Sequence, residues 1–168
     1  EMLEADMNVE AAAECFQRAA DYYEGEGSTS AASQCLVKVA NFMALMNKFD
    51  RAIEIFERLG SDSVNDNLRK WGAKELFLKA GLCHLANDDI VSAKRGLTRY
   101  LDLDPTFDRT REQKLLEDCI AAVEEFDAEK FTAACQEFDQ ISRFDSWKTT
   151  ILLKIKNSIK EGEDASLA

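Results

Sequence analysis

The side chains able to do chemistry are few, and their spacing argues against catalysis. Five cysteines, Cys15, Cys35, Cys83, Cys119 and Cys135, stand far apart with no C-x-x-C pair. Each falls in an apolar helical pattern, so all five read as buried, reduced thiols acting as small hydrophobes. An odd count without pairing logic points to the cytoplasm. The one histidine, His84, lies in Leu82-Cys83-His84-Leu85, where helix packing or capping is its expected role. The chain has no Ser/His/Asp set, no H-E-x-x-H, no P-loop and no glycine-rich phosphate cradle. No enzymatic activity, cofactor or metal is expected.

Charge is the more informative chemistry. The 168 residues hold 32 Asp and Glu against 21 Lys and Arg, a net charge of −11. Nucleic acid and anionic membranes need clustered cations, so neither is an expected partner; a basic protein surface is. Lys70, Lys74 and Lys79 interrupt the acidic trend and are expected on a solvated helix face. Glu124-Glu125 ends a predicted helix with charges that oppose the helix dipole. Such a local rule-break points mildly to a binding surface. The segment 161–168, EGEDASLA, is too polar to fold alone and is expected as a flexible acidic tail with one apolar residue near its end, Leu167.

Helices must position these groups. Ile90, Ala93, Leu97 and Tyr100 form one stripe of a helix, and the stripe recurs as Val9, Ala12, Phe16, Ala19 and as Phe49, Ala52, Phe56, Leu59. A fourth copy, with changed residue order, is Ala128, Phe131, Cys135, Phe138. The starts lie 40, 41 and 38 residues apart, a period that marks a helical-repeat array. One proline and seven glycines leave long helical runs intact, and no alternating strand pattern occurs. The expected fold is all-α: a tetratricopeptide-like helical-hairpin solenoid of about eight antiparallel helices over 1–160, followed by the tail. No apolar run reaches the ~18–20 residues of a membrane span. Because the sequence opens inside the first repeat, an upstream part is expected.

The predicted helices cover 8–24, 31–47, 49–59, 68–86, 90–102, 109–125, 128–139 and 146–160. Ser28, Thr29 and Ser30 offer N-caps for the second, Asp127 for the seventh and Asp145 for the eighth. The third is expected to stop at Gly60, with 61–67 a loop. The eighth carries Ile151, Ile155 and Ile159 inward, and Lys148, Lys154, Lys156 and Lys160 on a basic outer face.

Three segments, ADYYEGEGSTSAASQCLVKVA (20–40), WGAKELFLKAGLCHL (71–85) and FDQISRFDSWKTTILLKIKNSIK (138–160), resemble the α/β-type soluble NSF attachment proteins. The family pattern I-S-R-x-D-x-W-x-T-x-x-L-x-[RK]-I-K appears as Ile141, Ser142, Arg143, Asp145, Trp147, Thr149, Leu152, Lys154, Ile155 and Lys156, with penultimate Leu167. The resemblance implies the C-terminal portion of such a protein: a non-enzymatic adaptor that binds the SNARE four-helix bundle, then recruits the hexameric AAA+ ATPase NSF and stimulates it. SNARE-facing residues would be Lys38, Leu68, Trp71, Lys74 and Arg111. Where the family tends to carry a lysine four residues before Lys38, this chain has Gln34. NSF-facing residues would be Asp88, Asp89, Glu124, Glu125 and Leu167. Membrane association would be peripheral, through SNAREs or through N-terminal helices outside this chain. Two other readings are a tetratricopeptide-like binder of carboxylate-ended peptides, which needs a groove lined by Lys, Arg and Asn, and a purely structural scaffold.

Overall fold

A computed structural model describes residues 2–167, with side chains described from Met7 onward. Eight helices follow one another: α1 (Met2–Gly25), α2 (Thr29–Leu45), α3 (Phe49–Val64), α4 (Ala73–Ala86), α5 (Ile90–Leu103), α6 (Arg111–Glu124), α7 (Ala128–Ile141) and α8 (Ser146–Leu167). Single 3-10 turns, Lys70–Gly72 and Pro105–Phe107, precede α4 and α6. Successive helices pack as antiparallel neighbours, as in the predicted helical-hairpin solenoid. The last helix departs from a simple row, because α8 also packs on α4 and α2 and closes the far side of the stack.

Four of the connections are three-residue turns of one design. Gly27, Asn47, Asp88 and Phe126 adopt the left-handed region, with φ of 76°, 62°, 56° and 52°. The next N–H in each case reaches back to a carbonyl five residues earlier: Ser28 to Tyr23 at 2.9 Å, Lys48 to Met43 at 2.8 Å, Asp89 to His84 at 3.0 Å, and Asp127 to Ala122 at 2.9 Å. This Schellman closure satisfies the last carbonyls of one helix and starts the next at once. Asp89, Asp127 and Asp145 then cap α5, α7 and α8 by accepting from the N–H groups of Ser92, Lys130 and Lys148. Each such cap contributes about 1 kcal/mol. Ser28 holds the N-cap position of α2 without a side-chain hydrogen bond, so the hydroxyl cap expected there is absent.

Four helix boundaries differ from the sequence expectation by more than two residues, the first because α1 begins at Met2 and not at residue 8. The third helix does not stop at Gly60 but runs to Val64, shortening the loop. Gly60 is buried inside it because Phe77 packs directly on its backbone; a Cβ there would lie 2.6 Å from the ring. The expected start of the fourth helix at 68 is replaced by the 3-10 turn, and α4 proper begins at Ala73. The tail expected to be flexible is helical, since α8 continues to Leu167; Ala168 lies outside the described residues.

The predicted stripes largely face inward. Phe49, Ala52, Phe56 and Leu59 are buried, as are Ala93, Tyr100, Ala128, Phe131 and Phe138. Val9, Ala12, Phe16 and Ala19 are only half-buried, while Ala13 and Ala20 take the buried positions. Phe77 stacks on Tyr100 at 4.8 Å and meets Phe107 edge-on at 5.8 Å. The Tyr100 hydroxyl donates to Glu57 at 2.9 Å, which leaves it paired inside the core.

The lysine expectations are corrected at three positions. Lys79 is not on a solvated face: it is buried, 5.0 Å over the Trp147 ring and 5.6 Å over Phe56, and it donates to Asn41 Oδ1 at 3.2 Å. Burial lowers its pKa below the usual lysine value. Trp147 ties α8 to the same place by donating its indole N–H to the Asn41 carbonyl at 3.0 Å. Lys148 is buried against Glu75, and half-buried Lys154 meets Asn47 and lies over Phe49. The face of α8 expected to be basic and outward is therefore half committed to packing. Cysteine burial is likewise mixed: Cys83 and Cys119 are buried, Cys35 and Cys135 half-buried and Cys15 exposed, all as free thiols. Burial pushes the Cys83 thiol up to about 12, so it is inert as a nucleophile.

Candidate functional site

Antiparallel pairing sorts the predicted residues to opposite ends of the stack, except Lys38, which lies midway along α2. The first end gathers the N-terminal half of α2, the segment between α3 and α4, and the starts of α4 and α6. Leu68 and Trp71 project into solvent here, 92% and 77% exposed, an unusual fate for large apolar side chains. They stay out because Asp66 pins the turn beneath them. Its carboxylate accepts the Leu68 N–H at 2.9 Å and the Arg69 guanidinium at 2.7 Å, bonds that hold its pKa below the usual carboxylate range. Arg69 continues to the Ser33 hydroxyl on α2 at 3.0 Å, so the loop is fastened to the repeat before it. Lys70 lies 5.4 Å over the Trp71 ring.

Gln34, Val37, Leu68, Arg69 and Leu76 line one surface cavity of about 330 Å³. Lys38 is exposed one helical turn beyond Gln34, on the same edge of α2. Exposed Lys74 reaches Glu112 at the start of α6 at 3.8 Å, which links it to the neighbourhood of Arg111. Arg111 differs from the other predicted cations. Its guanidinium donates to the Ser142 hydroxyl at 2.7 Å and the Phe138 carbonyl at 2.8 Å, and sits 4.8 Å over the Phe138 ring. It is half-buried and joins α6 to α7. Arg69 was not among the predicted residues, although the Asp66-x-x-Arg69 spacing was there to suggest the pair.

The second end holds the α4–α5 and α6–α7 turns and the end of α8. Asp88 is the left-handed turn residue and is exposed. Asp89 is the N-cap of α5, and the Ser92 N–H that it accepts lowers its pKa. Glu124 pairs with Lys94 of α5, and Glu125 with Lys130 of α7 at 3.1 Å. Leu167 is 86% exposed. The acidic pairs thus stitch three helices together at their ends while leaving carboxylate oxygens at the surface. The 14 residues of α4 separate the two ends by about 20 Å at 1.5 Å per residue.

Phe126, which the sequence reading passed over, packs on Gly162 of α8, and the Glu163 carboxylate accepts the Ala128 N–H at 2.9 Å. The signal for it was the repeat itself: Phe126 stands in the slot that Asn47 and Asp88 fill in the other turns. Among the described residues no cluster of three or more His, Cys, Asp or Glu could hold a metal, and no helix is long and apolar enough to cross a membrane.

The family model for soluble NSF attachment protein, SNAP, matches residues 1–160. The alpha-soluble NSF attachment protein of Vitis vinifera is 47% identical over 163 residues, covering 97% of this chain and 56% of the relative. The human alpha-soluble NSF attachment protein is 40% identical over 158 residues, covering 94% and 53%. A probable vesicular-fusion protein sec17 homolog of Schizosaccharomyces pombe is 41% identical over 157 residues, covering 94% and 54%. The chain spans about half the length of the curated relatives it matches. A family match across nearly every repeat, on paired helices ending in the Trp147-bearing α8, makes this chain a member of the soluble NSF attachment protein family.

Proposed function

We propose that this chain is the part of a vesicle-fusion adaptor that carries both of its protein contacts: SNARE bundles at the exposed aromatic and basic end, and NSF at the acidic end. The observation that carries this reading is the sorting itself. Leu68, Trp71 and Lys74 stand at one end of the stack, with Lys38 exposed midway along α2, and Asp88, Asp89, Glu124, Glu125 and Leu167 stand at the other end. A SNARE bundle with an acidic surface would be attracted by the cations and held by burial of Leu68 and Trp71. Arg111 acts there mainly as a brace between α6 and α7. At the other end, surface carboxylates suit a basic groove on the ATPase, and the exposed Leu167 supplies an apolar contact that stimulates hydrolysis. The protein works as a non-enzymatic adaptor, in the cytoplasm and peripheral to membranes through the SNAREs that it holds.

The test is ATP hydrolysis by NSF on an assembled SNARE complex, with no adaptor, with this chain, and with a version ending at Lys160. Stimulation by the intact chain and its loss on truncation are expected. Absence of both stimulation and SNARE binding would overturn the reading.

A further inference from the structure

The α6–α7 turn breaks the rule that the other three turns of its design obey. Gly27, Asn47 and Asp88 are residue types that enter the left-handed region readily; Phe126, at φ 52°, is not. A bulky side chain persists there only when its surroundings hold it. What holds it is the end of α8. The Phe126 ring lies so close to Gly162 that a Cβ at that glycine would be 2.4 Å from Cδ1. One residue on, Glu163 reaches across and accepts the first N–H of α7, from Ala128, while Asp127 accepts the N–H of Lys130. Two separated carboxylates therefore serve one helix start, where the dipole favours them. The local sequence of α8 gives the opposite preference. Glu161, Glu163 and Asp164 sit near its C-terminus, where negative charge is unfavourable, and Gly162 is a poor helix former.

We propose that Phe126, Gly162 and Glu163 form a latch that folds the acidic end of α8 onto the α6–α7 turn, and that the latched form presents Leu167 together with Glu124 and Glu125 to the ATPase. The presentation step rests on the adaptor reading above; the latch does not. Phe126, Gly162 and Glu163 are positioning residues: they fix where the contact groups stand. Unlatched, the end of α8 frays and Leu167 is no longer held in register with the two glutamates.

The test uses the full chain with Phe126→Asn, Gly162→Ala, Glu163→Gln and the Phe126→Asn/Gly162→Ala double variant, followed by amide hydrogen exchange and NSF stimulation. Asparagine tolerates the left-handed turn, so Phe126→Asn removes the ring and keeps the connection. Alanine is the better helix former, so Gly162→Ala slows exchange at residues 163–167 if the helix end stands by itself. The latch reverses the sign: with Phe126 present, the added Cβ displaces the ring and exchange there accelerates about tenfold. In the Phe126→Asn background the same substitution slows it. Glu163→Gln raises exchange at Ala128. Stimulation of NSF falls in Phe126→Asn and in Gly162→Ala, while SNARE affinity is unchanged. Slower exchange from Gly162→Ala in both backgrounds overturns the latch. Faster exchange with full stimulation overturns the presentation step. A wild-type chain that does not stimulate NSF overturns the adaptor reading, and the exchange pattern still decides the latch.

Discussion

At the α2–α4 end of the stack the chain takes a long irregular path from Asn65 to Gly72 and leaves Leu68 and Trp71 in solvent. At the α4–α5 and α6–α7 end it turns within three residues, and Glu124 and Glu125 are engaged by lysines of neighbouring helices. One end is an apolar, cationic surface on a pinned loop; the other is a set of helix ends tied by ion pairs. In the proposed adaptor the two ends would draw binding energy from different sources. Burial of large side chains can supply affinity at the first, whereas exposed ion pairs are worth only about 0–1 kcal/mol each. Binding at the acidic end, as proposed, would therefore need many charges held in register, which the closed turns provide.

The heaviest blow to this comparison falls between the ends. Trp147 joins α8 to α2, α3 and α4 through Asn41, Phe56 and Lys79, so Trp147→Ala is expected to cost about 3–5 kcal/mol. Urea unfolding checks it; a loss below about 1 kcal/mol would mean that α8 does not brace the stack. Next in size, Leu68→Ala with Trp71→Ala is expected to weaken SNARE binding at least tenfold, on the order of 1.4 kcal/mol or more, with stability nearly unchanged because both side chains are exposed. Equal affinity in a titration would remove the aromatic end from the interface. Lys38→Glu with Lys74→Glu is expected to reduce SNARE affinity several-fold at low salt, and less at high salt as screening sets in. Arg111→Glu, by contrast, is expected to lower thermal stability as well, since its guanidinium bridges α6 and α7.

The smallest expected effect is on pH dependence. Half-buried His84 has its pKa lowered from 6.5 by burial, against an opposing pull from Glu57, Asp89 and Asp50. The unfolded chain therefore takes up a proton at higher pH than the folded one. The contribution of His84 to stability is fully present above about pH 6.5 and is lost as pH falls from there towards the lower folded value. Unfolding free energies measured between pH 5 and 7.5 should show a shallower slope for His84→Gln than for the wild type.

Much of this was legible in sequence because it is locally encoded. The 38–41-residue period announced the paired helices, and Asp127 and Asp145 announced the starts of α7 and α8. The resemblance names the residues of the two ends, but their separation along the stack is a property of the fold. Lys79 shows where that kind of reading stops. Its own helix pattern fits a solvated face, and the groups that bury it, Asn41, Phe56 and Trp147, lie 38, 23 and 68 residues away. Gly60 is similar: read locally it is a stop, but the ring of Phe77 makes it a contact.

Side-chain type at fixed spacing is enough to set the helices, most of their apolar stripes and the chemistry available at each turn. Only the tertiary structure decided that Lys79 and Lys148 go inside, that Arg111 is a brace, and that the acidic segment after Lys160 is a docked helix. Each depends on which distant helix supplies the partner, and a periodicity of 3.6 residues carries no information about that.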